Sequence, residues 1–158
     1  MNKEMEWVAS VVNQNDVREY LRYMISDGLW MYGTDGHRIH RVKARKPKGY
    51  YSANTGRSVK GAGIERLAYF LKTMRKHFKG FAGGMESFDP KELPEAEPFK
   101  EDRTKRKRKV INGVTFNGKY VHEATLGRPF KAKTKEVYDP LQGEGELGQF
   151  LIMPLRVA

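Results

Sequence analysis

The chain has 158 residues, no cysteine, 30 Lys and Arg against 19 Asp and Glu, and a formal net charge of +11. That length suits one domain burying roughly 70% of the surface its extended form would expose, and the missing cysteine excludes disulfides and thiolate metal sites. The charge favours a polyanionic partner, because each Lys or Arg near a phosphate releases condensed counterions; solubility alone is the simpler alternative.

Glu6 to Val12 reads as a strand with Trp7, Ala9 and Val11 on one face. Asp16 is a good helix N-cap with Glu19 three residues on, and Val17, Tyr20, Leu21 and Met24 then form one apolar helical face, with Arg18 and Arg22 on another. Asp27-Gly28 ends that helix. Leu29 to Thr34 and His37 to Val42 read as strands about Asp35-Gly36, a two-residue hairpin signal because a type I′ turn needs φ > 0 at both central positions. Residues 43–49 are a basic loop, and Tyr50-Tyr51-Ser52 and Arg57 to Lys60 are short strands around Asn54-Thr55-Gly56. The strongest helix runs from Ile64 to Phe78, burying Ile64, Leu67, Ala68, Leu71, Met74 and Phe78. Arg66, Lys72, Arg75 and Lys76 lie on its other side.

Residues 80–109 change character. An acidic stretch from Glu86 to Asp102, broken by Pro90, Pro94 and Pro98, precedes a basic block, Arg103, Lys105, Arg106, Lys107, Arg108 and Lys109. Apolar residues are sparse, which predicts a linker or long loop. Two fates are open to the basic block: binding phosphate, or folding back on the acidic stretch. Val110 to Phe116 is a strand, Asn117 caps a helix from Gly118 to Leu126, and strands follow over Pro129 to Val137, around Leu141 and from Gln149 to Val157, with a turn at Gly143 to Glu146. Both parts thus read strand, helix, strand, strand, strand, a sign of internal duplication.

No catalytic constellation emerges: there is no Walker A loop and no GxGxxG. Asp35, His37 and His40 are a conceivable metal set, but His37 and His40 are three apart and fall on opposite faces of a strand. Glu144 and Glu146 share a strand face, yet lie in a Gly-rich turn. Neither an enzyme nor a cofactor is expected. No apolar run approaches a membrane span and Met1 to Glu6 has no signal-peptide core, so a cytoplasmic protein is expected.

Three segments carry a resemblance. Asp16-Val17-Arg18-Glu19-Tyr20-Leu21, Thr34-Asp35-Gly36-His37-Arg38-Ile39 and the closing Met153-Pro154-Leu155-Arg156 stand in an order that resembles the bacterial replicative sliding clamp, the processivity subunit of DNA polymerase III. Phe116-Asn117-Gly118-Lys119-Tyr120-Val121 is similar to the start of a helix in that family's last domain. The resemblance implies an α+β, clamp-like fold. It would be one domain over 1–158, made of a first unit with its long helix (1–79), a charged linker (80–109) and a second unit (110–158), with antiparallel sheets in two β-α-β-β-β units. A clamp protomer has three domains, so this chain is far shorter, and a ring would need about six copies or a partner.

It also implies partners. Clamps dock short peptides rich in Gln, Leu and Phe from polymerase and other replication proteins. Carried over, the pocket would use Leu21, Thr34, Gly36, His37, Arg38 and Ile39 with Leu151, Met153, Pro154 and Leu155; the alternative is that these residues only fill a core. Non-specific DNA contact would fall to Arg18, Arg22, Arg66, Lys72, Arg75 and Lys76 and to the basic block. The function implied is a processivity factor or adaptor of a phage-encoded kind. A decoy that captures clamp-binding peptides and a simple basic nucleic-acid-binding protein are the alternatives.

Overall fold

The chain begins with a helix, where the alternation of Trp7, Ala9 and Val11 predicts a strand. In the computed structural model, which describes residues 1–61, 64–81, 83–96, 106–134, 136 and 138–155, α1 spans Lys3–Ala9. Asn2 Oδ1 accepts from Met5 N at 2.9 Å, and Met5 and Val8, one turn apart, are buried with Trp7. A capped turn with its own apolar face overrides a period-2 pattern of three residues.

The chain divides into two compact units, Met1–Phe81 with Leu147–Gln149, and Ala82–Glu146 with Phe150–Ala158. In the first, the expected helix after Asp16 shrinks to a 3-10 turn, Glu19–Leu21. Asp16 does not cap it: the N-cap position is Arg18, without a side-chain cap bond, and Asp16 Oδ1 accepts from Arg18 N at 2.9 Å in a local turn ahead of it. Val17, placed on the buried face by helical spacing, is 91% exposed. Met24–Ser26 instead forms strand β1, hydrogen-bonded on both sides, to β2 (Trp30–Thr34) and to β4 (Gly49–Tyr51). Tertiary pairing on two edges outweighs a short helical pattern. With β3 (Arg38–Lys43) and β5 (Ser58–Val59), these strands run in the order β5-β4-β1-β2-β3, each adjacent pair antiparallel. Asp27-Gly28 is the β1–β2 turn.

The β2–β3 hairpin is present, but not with a type I′ turn on Asp35-Gly36. Only Gly36 has a positive φ, +92°. Side chains close the turn: Asp35 Oδ1 accepts from His37 N and Arg38 N, and Thr34 Oγ1 donates to Arg38 O. Gly33 lies under α1, where a Cβ would overlap Val8 O. Helix α2, Ile64–His77, matches its expected span. Phe70, Leu71 and Met74 are buried within it, as is Phe78 just beyond; Ala68 is exposed, and Phe70, on the opposite flank of the stripe, is buried instead.

The second unit absorbs much of the expected linker. β6 (Glu86–Phe88), a 3-10 turn (Pro90–Glu92) and β7 (Glu95–Ala96) lie there. Pro90 and Leu93 are buried, so few apolar residues are enough here. β8 (Arg108–Ile111) and β9 (Val114–Asn117) form a hairpin where one strand was expected. Its turn, Asn112-Gly113, has φ of 51° and 78°, the geometry that Asn-Gly is suited to. Asn117 caps α3 (Gly118–Thr125), accepting from Lys119 N at 3.0 Å. β10 (Phe130–Lys133), β11 (Leu141–Glu144) and β12 (Gln149–Ile152) follow. Within this unit the strands run in the order β6-β10-β11-β12, and β7-β8-β9 form a separate three-stranded sheet. Gly143 and Glu144 belong to β11, not to a turn; Gly143 lies beneath the Phe150 ring, where a Cβ would overlap it. From β9 to β12 this unit follows the expected strand-helix-strand-strand-strand order. No helix among the described residues is long and apolar enough to cross a membrane.

Candidate nucleic-acid and peptide-binding surfaces

Helix α2 carries Arg66, Lys72, Arg75 and Lys76 on its exposed side, and Lys79 just after it extends the row. The helix is fixed by a buried network that the sequence reading missed. Asp27 Oδ1 accepts from Leu29 N at 2.9 Å and Trp30 N at 2.7 Å. Its Oδ2 accepts from Tyr32 Oη at 3.1 Å and lies 3.5 Å from Arg75 Nε. Burial raises the Asp27 carboxyl, but the Trp30 and Leu29 amides, the Tyr32 hydroxyl and Arg75 outweigh it and hold the group below the ordinary carboxylate value. Burial likewise pushes the Tyr32 phenol up, to about 12. The Arg41 guanidinium lies 3.9 Å from both the Trp30 and the Phe78 ring centroids, and its Nε donates to Gln149 Oε1 at 2.7 Å. Aromatic faces stabilise a desolvated cation, so this residue closes the seam where α2 meets the sheet. Arg75 thereby serves as an anchor, leaving Arg66, Lys72 and Lys76 as the outer cations.

The other basic candidates differ in availability. Arg18 is half exposed and bridged to Asp16 at 3.1 Å, and Arg22 is half buried. Of the basic block, Arg106 and Lys107 are exposed while Arg108 is buried. Lys109 Nζ bonds Glu95 Oε1 at 2.9 Å across β7 and β8, so at this position the block does fold back on the acidic stretch. Arg103 and Lys105 lie outside the described residues. Arg108 therefore leaves the candidate surface, because a buried guanidinium cannot reach a phosphate.

The peptide-pocket candidates fall in both units. In the first, Leu21, Thr34, Arg38 and Ile39 are buried and Gly36 and His37 are exposed at the turn; Arg38 Nε bridges Asp35 at 3.1 Å. In the second, Leu151 is core, but Met153 is 47% exposed. Pro154 and Leu155 are half buried, and Leu155 N donates to Thr115 O at 2.9 Å, which fixes this tail to β9. Leu21 and Leu151 thus behave as core, whereas Met153 does not. The two histidines separate as alternation requires: His37 is exposed, and His40 is buried against Trp7. Among the described residues no group of three or more His, Asp or Glu is placed to hold a metal.

Antiparallel sheets with helices in this element order define an α+β protein with the fold of a DNA sliding clamp. Three solved clamps share it: the Helicobacter pylori beta clamp in complex with diflunisal (TM-score 0.60, 13% identity, 98% of this chain and 63% of that one), the sliding clamp (DNA polymerase III subunit beta) of Bartonella birtlesii bound to griselimycin (0.60, 11%, 97% and 63%), and the DNA polymerase sliding clamp of Caulobacter crescentus (0.58, 13%, 98% and 62%). The chain spans just under two thirds of the length of these clamps. No protein-family model and no curated protein sequence matches it.

Proposed function

We propose that this chain is a clamp-like DNA replication factor without enzymatic activity. It holds duplex DNA without sequence preference and docks short apolar peptides of polymerase or other replication proteins. The observation that carries the reading is the clamp fold joined to a helix whose outer cations, Arg66, Lys72 and Lys76, share one side of α2. Phosphates repeat regardless of base sequence, so a row of cations on a rigid helix binds any duplex. The exposed Met153, with Pro154 and Leu155 held in place by the Thr115 bond, supports the peptide-docking part. A flexible thioether beside a rigid ring suits an apolar side chain.

The test is fluorescence anisotropy of a labelled random-sequence duplex across a salt series. Three phosphate contacts predict that log K falls with log salt with a slope of about −3. The double variant K72E/K76E should flatten that slope and weaken binding at low salt. Salt-independent binding, or a strong preference for one sequence, would sink the DNA reading.

A further inference from the structure

The outer row of α2 contains an aromatic ring that packing does not require. Tyr69 is 69% exposed and falls at helical spacing between Arg66 and Lys72, with Lys76 two turns beyond, all of them exposed. Its ring is braced: Tyr69 and Phe70 meet edge to face with centroids 6.2 Å apart, and Phe70 packs on Tyr20 at 4.2 Å. Arg66 in turn lies 5.7 Å from the Tyr20 ring. Phosphate contact alone gives no use for an exposed ring at the centre of a cationic row. A ring with a free face beside cations is what an unpaired base needs: a surface to stack on, and neutralisation of the phosphates at either side.

We infer that the Arg66–Lys76 face of α2 binds single-stranded DNA, with Tyr69 as the stacking platform for one base and Arg66, Lys72 and Lys76 holding the flanking phosphates. The inference rests on the reading of α2 as a DNA-contacting helix and goes beyond it. Paired bases in a duplex present no free face, so only an unpaired strand gains from the ring. The side chain is exposed, so removing it leaves the core intact.

Anisotropy with labelled oligo-dT of about 15 nucleotides, an abasic strand of the same length and a duplex separates the two contributions. The wild-type protein should bind oligo-dT about tenfold more tightly than the abasic strand. Tyr69→Ala should abolish that difference and leave duplex binding within about twofold, because stacking and not charge is removed. Tyr69→Phe should keep it, because stacking does not need the hydroxyl. Equal binding of oligo-dT and the abasic strand, with salt-dependent duplex binding intact, overturns the stacking platform alone; failure to bind any strand overturns the DNA reading with it. Loss of self-association in Tyr69→Ala with oligo-dT binding unchanged assigns the ring to a second copy of the chain and also overturns the inference.

Discussion

His40 sits at the centre of the first unit with a ring that cannot readily be charged. It stacks on Trp7 with centroids 4.0 Å apart, and its Nδ1 donates to Trp7 O at 3.1 Å. Its Nε2 is buried without a partner, so a proton there would be a desolvated charge with no acceptor. Burial accordingly pushes the imidazole down to about 3. Its pKa in the unfolded chain is about 6.5. The folded-state value is the lower one, so below about pH 6.5 the unfolded chain binds a proton that the folded one refuses. Stability is full above that pH and falls on acidification towards pH 3, by about 1.4 kcal/mol per unit. Urea melts at pH 7.5 and pH 5 should therefore differ by about 2 kcal/mol from this group. Asp27, also held low, contributes above the ordinary carboxylate range and is lost only below it, so it leaves this window unchanged. His40→Phe keeps the stack and should flatten the profile; an equally steep profile in the variant would assign the acid sensitivity elsewhere.

Elements with a strong local signal were legible in the sequence. α2 has four turns of consistent spacing, and α3 has Asn117 at its start, which caps it. The strands β4 and β5 about Asn54-Thr55-Gly56 also stand where expected. The errors fall where a three- or four-residue pattern was asked to outweigh tertiary pairing, as at Val17 and Met24, or where turn chemistry was overlooked, as at Asn112-Gly113. The buried anchor at Asp27 could not be read at all, because its partners Tyr32 and Arg75 are brought to it by the sheet and by α2. For Tyr69 a signal did exist: an aromatic off the apolar stripe of an amphipathic helix. The tail after β12 is the element on which the peptide reading stands. Burying two large apolar peptide side chains yields roughly 3–6 kcal/mol before the costs of association, so this burial alone limits a Gln/Leu/Phe peptide to an affinity of about 40 micromolar or weaker. Met153→Asp should remove that binding, read by isothermal calorimetry, and leave duplex binding unchanged. Undiminished peptide affinity in the variant would move the docking site away from the tail.

At the scale of the molecule, the clamp fold was legible from three short segments, and the expected duplication only in part. The second unit keeps the strand-helix-strand-strand-strand order, while the first opens on α1, because Asn2 caps a helical turn where the residue alternation predicts an extended strand. The basic surface was legible as a charge, but not as an assignment to residues, since burial of Arg108 and pairing of Lys109 depend on the fold. A chain that works as a clamp must assemble, through an interface that repeats head to tail and closes. β5 and β6, which end the sheets of their units with exposed residues, can extend a sheet into a neighbouring copy. The mass of the protein in solution, by sedimentation with and without a random-sequence duplex, tests this most directly. A clamp-like assembly gives a species heavier than the 18.2 kDa chain that grows with concentration and co-sediments with the duplex. A strict 18.2 kDa monomer at every concentration, with the duplex sedimenting alone, would contradict it.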